Sequence, residues 1–259
     1  MPLKVRDPLR WCRERPEAEE RRVPLAIDLG IAKTNKYASR ESGDTAEVVE
    51  RPGGGVSGVV VDGQGSGTGA KALSLLLTGK AVALLKEGVR DGAVARAVHD
   101  TLLAYRGGKV SASLDIVSAD LKHGALVLTR NGTSPIILRT GDDVRSLPPV
   151  EGPIGIYPFT RPGVERFPLQ AGLQVWVFTD GVVTAGKRAG MPRLDLESVA
   201  GALMDSELDA RAQARRLLQV AMDADSGRPG DDMCVLTLRI LAPAGDDAVR
   251  TLHMSLPGT

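Results

Sequence analysis

The sequence predicts an α+β domain in which antiparallel sheets form a sandwich and the helices are segregated in pairs. Three observations carry this. The apolar segments come in blocks, as strands, two helices, strands, two helices and strands again, which is not the alternation of a βαβ sheet. The candidate strands are short, apolar and separated by polar, Gly-rich turns, the texture of hairpin-connected sheets. The chain has 259 residues, enough to bury a sizeable core.

Each element has its own signal. Residues 1–22 are charged throughout and read as an N-terminal extension, disordered or helical; residues 23–259 read as a single domain. "VPLAID", "AEVVE" and "VSGVVVD" are the first strands. Gly30, in "AIDLGIAKTN", reads as a hairpin turn. Residues 70–87 are rich in Ala and Leu without Pro and fit the helical period with a mostly buried face. Asp91 is placed to cap a second helix, with Val94, Val98, Leu102 and Tyr105 on one face and Gly107-Gly108 at its end. In the next strand Ala112, Leu114, Ile116 and Ser118 alternate with Ser111, Ser113, Asp115 and Val117. "GALVLTR" follows after a tight turn, as in a hairpin. "PIILR", "LQVWVFTD" and "MCVLTLRIL" are further strands, helices fill 195–204 and 207–223, and "AVRTLHMSL" alternates as an edge strand would. No internal repeat is present.

Composition excludes several classes of function. The net charge is +1 and aromatics make up 3% of the chain, so neither a polybasic field nor base-stacking residues argue for nucleic acid. No apolar run approaches the roughly 18 residues of a membrane span, and the charged N-terminus lacks the apolar middle of a signal peptide. Cys12 and Cys234 are too few and too far apart for a disulfide framework or a thiolate metal site. His99, His123 and His253 are scattered and read as structural. The expectation is a soluble cytoplasmic protein.

One glycine loop needs explanation. Gly65-Ser66-Gly67-Thr68-Gly69-Ala70 satisfies G-x-G-x-x-A, the dinucleotide fingerprint. That fingerprint also requires a strand ending in an acidic residue about twenty positions on, and Glu87 instead ends a continuous helix. A Walker A loop fails, because Lys71 does not directly follow Gly69 and no Ser or Thr follows the lysine. "AIDLGIAKTN" looks like the first phosphate loop of actin-like ATPases, which need two lobes that this chain does not offer. A nucleotide-binding enzyme stays an alternative.

The acidic residues point elsewhere. Asp44 lies in "SGD", Asp62 ends "VVVD" before Gly63, Asp180 ends "VWVFTD" before Gly181, and Asp231 and Asp232 open "DDMCVLTLRI". A strand that stops on Asp-Gly holds a carboxylate at its end, and the glycine permits close approach. Several such carboxylates converging at one end of a sandwich make an all-oxygen site, suited to Mg²⁺ or Mn²⁺ rather than zinc. The bland reading of any one Asp-Gly is a surface turn.

In order along the chain, "SGD" (42–44), "DGQGSG" (62–67), "SLDIVSADL" (113–121), "NGTSPIIL" (131–138), "GPIGI" (152–156), "FTDGV" (178–182) and "GDDMCVLTLRI" (230–240) resemble the metal-dependent (PPM-type) serine/threonine phosphatases, in the SpoIIE-like branch. The resemblance covers about residues 23–241. It implies a sandwich of two antiparallel sheets flanked by helix pairs, α-β-β-α, and hydrolysis of phosphoserine or phosphothreonine with two Mn²⁺ or Mg²⁺ ions that activate water. It further implies that Asp62 bridges the two metals, that the Gly63 carbonyl ligates one, and that Asp180 and Asp231 hold the other. Asp44 would stand beside the metals and Asp232 would support. Gln64 stands where the branch usually has Met, and Cys234 where it usually has Thr; neither is a ligand position. Arg40, or Lys33 or Lys36, is a candidate to orient the substrate phosphate, against the alternative of solvated surface charge. The implied substrate is a phosphorylated STAS-domain anti-sigma-factor antagonist. Helices 70–106 would form a regulatory or homodimer surface, or simply pack over the sandwich. A pseudo-phosphatase that only binds a phosphoprotein is the remaining alternative.

Overall fold

The computed structural model describes residues 25–150, 152–243 and 249–255; the expected extension, 1–22, lies outside these. In chain order the elements are β1 (Ala26–Thr34), β2 (Asp44–Glu50), β3 (Gly55–Gly63), α1 (Thr68–Lys86), α2 (Asp91–Arg106), β4 (Ala112–Asp120), β5 (Ala125–Asn131), β6 (Ile136–Thr140), β7 (Asp143–Leu147), β8 (Gly163–Pro168), β9 (Gln174–Phe178), α3 (Asp180–Val183), α4 (Leu196–Met204), α5 (Ala210–Ala224) and β10 (Met233–Leu241). The strands form two five-stranded sheets, ordered β1-β10-β9-β6-β7 and β2-β3-β4-β5-β8. All neighbours pair antiparallel.

Strand periodicity explains the layers. In β3 and β4, Val59, Val61, Leu114 and Ile116 face one way, into a core shared with Leu73, Leu77, Val94, Val98 and Leu102 of α1 and α2. Val60, Val117 and Ala119 face the other way and meet Val175, Val177, Leu236 and Leu238 of the opposite sheet. On that sheet's outer side, Trp176, Phe178 and Val235 pack on Ala214, Leu217 and Ala221 of α5 and on Ala200 and Met204 of α4. The result is the α-β-β-α arrangement expected. Both faces of the central strands are covered, which is why "VVV" and "MCVLTL" read as continuous apolar runs rather than alternating ones.

Several expectations change. Gly30 is not a turn; it lies inside β1, where a Cβ would come within 2.3 Å of the Ala210 backbone, so its absence lets α5 sit on the strand. The edge strands β7 and β8 escaped the sequence reading because they are short and half exposed, so their apolar signal is weak. Residues 249–255, in the stretch expected as an edge strand, are not in one; Leu252 and Met254 are exposed, and alternation without a buried face specifies no pairing. Helix α5 starts at Ala210, three positions later than expected, because the Asp209 carboxylate caps it by accepting from Ala212 N at 2.6 Å. Tyr105 is exposed, off the buried face of α2.

Helix α1 has 19 residues and a mean hydropathy of 1.3, so among the described residues one helix is long and apolar enough to cross a membrane by length and composition. Lys71 and Lys80 interrupt its apolar residues, so no continuous apolar run reaches that length. Here α1 buries Leu73, Leu77, Ala81 and Leu85 against the sheet and α2.

Asp91 is the first residue of α2 rather than its cap. Its carboxylate instead accepts from Arg51 Nη1 at 3.0 and 3.1 Å and bonds Ser118 Oγ. Arg51 Nη2 also donates to Val89 O at 3.1 Å. Both charges are buried, so the pair ties the β2–β3 turn, the α1–α2 connection and β4 together. Removing one partner leaves the other charge uncompensated, at a cost of about 3–5 kcal/mol. Asp91→Ala is therefore expected to lower unfolding free energy by about that amount in urea denaturation; a loss below about 1 kcal/mol would show that the ion pair does not hold the helices in place.

Candidate metal centre

The acidic residues are placed by strand register and two close-packed glycines. β2 pairs with β3 so that Asp44 stands directly opposite Asp62. Like charges facing one another across a ladder are destabilising, so the sequence accepts a cost there. Gly63 follows, and a Cβ on it would lie 2.6 Å from Ala70 O; only glycine lets the first turn of α1 lie over the end of β3. Past β9, Asp180 opens the one-turn α3. A Cβ on Gly181 would lie 2.0 Å from Asp232 O, so glycine again brings two acidic segments together. Asp231 and Asp232 precede β10 rather than opening it.

Asp44, Asp62, Asp180, Asp231 and Asp232 all line one cavity of about 330 Å³. Lys36, Gln64, Ser66, Ser111, Ser113, Thr133 and Pro153 complete its wall. Asp231 Oδ1 accepts from the adjacent Asp232 N at 3.0 Å, and Asp232 and Asp44 make bonds that span the fold. Asp232 accepts from Lys36 N (2.8 Å) and Gly43 N (2.7 Å), clamping both ends of the loop that leads into β2. Asp44 Oδ2 accepts from Thr179 Oγ1 at 2.7 Å, and that hydroxyl accepts from Cys234 N at 2.8 Å. The carbonyl of Asp44 accepts from Lys33 Nζ (3.3 Å) and Lys71 Nζ (3.1 Å). Asp62 has no such clamp.

The electrostatics follow from this crowding. Burial, then repulsion from Asp44, Asp180, Asp231 and Asp232, pushes Asp62 up to about 9. Burial raises Asp44 to about 7, against the Thr179 hydrogen bond, with Asp232 and Asp180 adding to the rise. Asp180 is raised by partial burial and by Asp231. Lys36 Nζ lies 3.9 Å from Asp231 Oδ1, while Lys33 and Lys71 reach the Asp44 carbonyl rather than a carboxylate. An all-oxygen set of mutually repelling carboxylates fits hard divalent cations. Among the described residues no three His, Cys, Asp or Glu side chains could hold one ion between them. An ion here would take few carboxylates and complete its shell with carbonyl oxygen and water, the habit of Mg²⁺.

Arg40 is exposed and is absent from the cavity wall, whereas Lys36 lines it. Cys234 is fully buried in the inter-sheet core, and burial drives its thiol far up, away from nucleophilic reactivity. Several contributing residues had no signal of their own in the sequence reading. Gln64 Oε1 accepts from Ser111 N at 2.8 Å while Gln64 N donates to Ser111 O at 3.2 Å, extending the β3–β4 ladder beside the cavity. The segment carrying Pro153 is held by mutual backbone bonds between Ile154 and Ala112 (2.9 and 3.1 Å). Buried His99 of α2 secures it further, as Nδ1 accepts from Gly155 N at 3.2 Å. Thr179 was findable, since a hydroxyl one residue before a site Asp at a strand end can reach a neighbouring carboxylate.

Known structures give this fold its class. The PP2C phosphatase domain of SpoIIE from Bacillus subtilis, solved with a fragment of its regulatory domain, superposes with a TM-score of 0.72 at 23% identity, covering 83% of this chain and 63% of that one. The RsbU and RsbW domains of a Mycobacterium tuberculosis protein give 0.71 at 22% identity, covering 86% and 62%. RsbX, solved in complex with magnesium, gives 0.63 at 15% identity over 83% of this chain and 95% of that chain. The fold is that of the PP2C-type phosphatase domain. In sequence, the family model of Stage II sporulation protein E (SpoIIE) matches residues 52–241, and the chain belongs to that family. Stage II sporulation protein E of Priestia megaterium is 21% identical and that of Bacillus subtilis 23% identical, each over 214 residues and 83% of this chain. The chain spans 36% and 26% of their respective lengths.

The raised carboxyls set a sign for stability against pH. Asp62 and Asp44 keep their protons in the folded protein to about 9 and about 7, against 3.8 in the free side chain. Their contribution is intact below the unfolded value and is lost as pH rises through the folded values. In chelator, Tm is therefore expected to fall between about pH 5 and pH 9, and Mn²⁺ to restore it. A metal-free Tm that is flat or rises over that interval would contradict the assignment.

Proposed function

We propose that the protein is a metal-dependent phosphoserine/phosphothreonine phosphatase. The observation that carries this is the convergence of five aspartates on one cavity, with Asp44 and Asp62 facing each other across β2–β3. Asp62, Asp180, Asp231 and the Gly63 carbonyl would hold two Mn²⁺ or Mg²⁺ ions. When bound, such ions supply Lewis-acid polarisation of the phosphoryl oxygens, a water acidified for in-line attack, and neutralisation of transition-state charge.

The chain's own residues supply placement. Asp44, fixed by Thr179 and by its ladder position, keeps the carboxylate wall in register. Asp232 holds the loop that carries Lys36, and Lys36 is better sited than Arg40 to meet a phosphoryl oxygen. Ser111, Ser113 and Thr133 offer hydroxyl donors on the opposite wall. No side chain is required as a covalent nucleophile, in keeping with the buried state of Cys234.

The substrate reading is a phosphorylated regulatory protein of the cytoplasm, with a STAS-domain antagonist as the leading candidate. Membership of the SpoIIE family supports it. Helices 70–106 are the proposed regulatory or homodimer surface. In support, α1 both lies on Gly63 and leaves Leu75 and Leu76 exposed.

Hydrolysis of p-nitrophenyl phosphate and of a phosphorylated STAS protein, with and without Mn²⁺, tests the reading. Wild type is expected to need the metal, and Asp62→Asn to lose about a hundredfold or more in kcat/KM. Activity that persists in chelator, or that Asp62→Asn leaves unchanged, would overturn it.

A further inference from the structure

Beside the acidic cavity the surface changes sign. Asp225, buried, accepts from Gly186 N and Gly230 N, both at 2.7 Å. This one carboxylate fastens the segment after α3 to the turn that leads into Asp231. The Arg188 side chain lies on that turn, with Cδ and Nε 3.0 and 3.3 Å from where a Gly230 Cβ would stand. Two residues before Gly230, the Arg228 guanidinium sits 5.4 Å over the ring of Tyr37. Tyr37 N donates to Pro229 O at 2.8 Å, joining the Asp232-clamped loop to the same turn. Tyr37, Arg188 and Arg228 are exposed, and neither arginine forms an ion pair with a described residue. Two guanidiniums without an ion-pair partner among the described residues, and an aromatic ring, thus flank the turn through Gly230, one residue before the cavity-lining Asp231.

A surface built this way discriminates by charge. Guanidinium binds carboxylate through charge-assisted, bidentate hydrogen bonds, and rim charges act mainly on selectivity and encounter. We propose that Tyr37, Arg188 and Arg228 form a docking rim that selects phosphoproteins with acidic side chains next to the phosphorylated residue. This rests on the phosphatase reading and adds the chemistry of the substrate's flanks. With the phosphoryl group in the cavity, the adjoining peptide on the Asp231 side crosses Gly230 and meets the two arginines. A lysine there meets like charge.

The test is fluorescence anisotropy in Mn²⁺ with peptides in which a phosphonate replaces the phosphoserine ester, so that turnover plays no part. One peptide carries Asp and Glu beside the phosphonate and the other Lys. Wild type is expected to bind the acidic peptide about tenfold tighter, a gap that narrows with added salt. Arg188→Glu/Arg228→Glu is expected to invert the preference, which damage to the fold cannot do. Arg188→Gln/Arg228→Gln is expected to reduce the gap to about twofold. Equal binding of the two peptides by wild type, or a preference unchanged in the Gln variant, would overturn the proposal. Turnover of p-nitrophenyl phosphate by wild type reports on the phosphatase reading separately.

Discussion

The repulsion between carboxylates held at the ends of paired strands is the constraint on which the rest of this structure depends. Asp44 and Asp62 cannot avoid each other, because moving either by one position in an antiparallel ladder would turn it to the opposite face. Register is fixed by the valines on both sides of β3, which fill two different cores. The hydrophobic layers therefore impose the electrostatic cost, and hold it in place. Buried polar bonds oppose it: Thr179 on Asp44, two backbone N–H groups on Asp232. Asp62 is left without one and carries the largest shift among these aspartates.

The glycines serve this arrangement more than they serve any ligand. Gly63 and Gly181 admit backbone where a Cβ would collide. Gly65 and Gly67 adopt φ of 95° and 76°, a region that glycine enters without steric cost, and so turn the chain from β3 into α1. The pattern that looked like a dinucleotide fingerprint is a tight strand-to-helix connection beside a carboxylate site. α1 starts where β3 ends, so displacement of the helix would press on Gly63. α2 reaches the opposite wall through His99 and Gly155. The two helices thus touch the cavity from two sides, a physical basis for the regulatory surface proposed for 70–106.

Much of this was legible in the sequence, for identifiable reasons. Blocks of strands and helices gave the layer order, and Asp-Gly pairs at the ends of apolar runs marked the cavity before any coordinates. What stayed hidden depends on long-range contact. Gly30 looked like a turn because its partner, Ala210, is 180 residues away. β7 and β8 are edge strands with little buried surface and no continuous apolar run. The backbone-clamping roles of Asp232 and Asp225 could not be separated from metal ligation or surface charge by residue type alone, because a carboxylate does all three. Residue type alone could not rank Arg40, Lys33 and Lys36, and the loop that turns Lys36 to the cavity leaves Arg40 outside its wall.

The central claim is that the site stores repulsion that a bound proton or a metal cation must relieve, and thermal unfolding of Asp62→Asn tests it most directly. In chelator near pH 8 the folded protein must hold on Asp62 a proton that the unfolded chain has already lost, so replacing the carboxyl is expected to raise Tm above wild type, by about 2–4 °C for each kcal/mol of that cost removed. Added Mn²⁺ should then stabilise wild type and leave the variant nearly unmoved. A variant that is less stable than wild type in chelator, yet gains as much from Mn²⁺, would contradict the account.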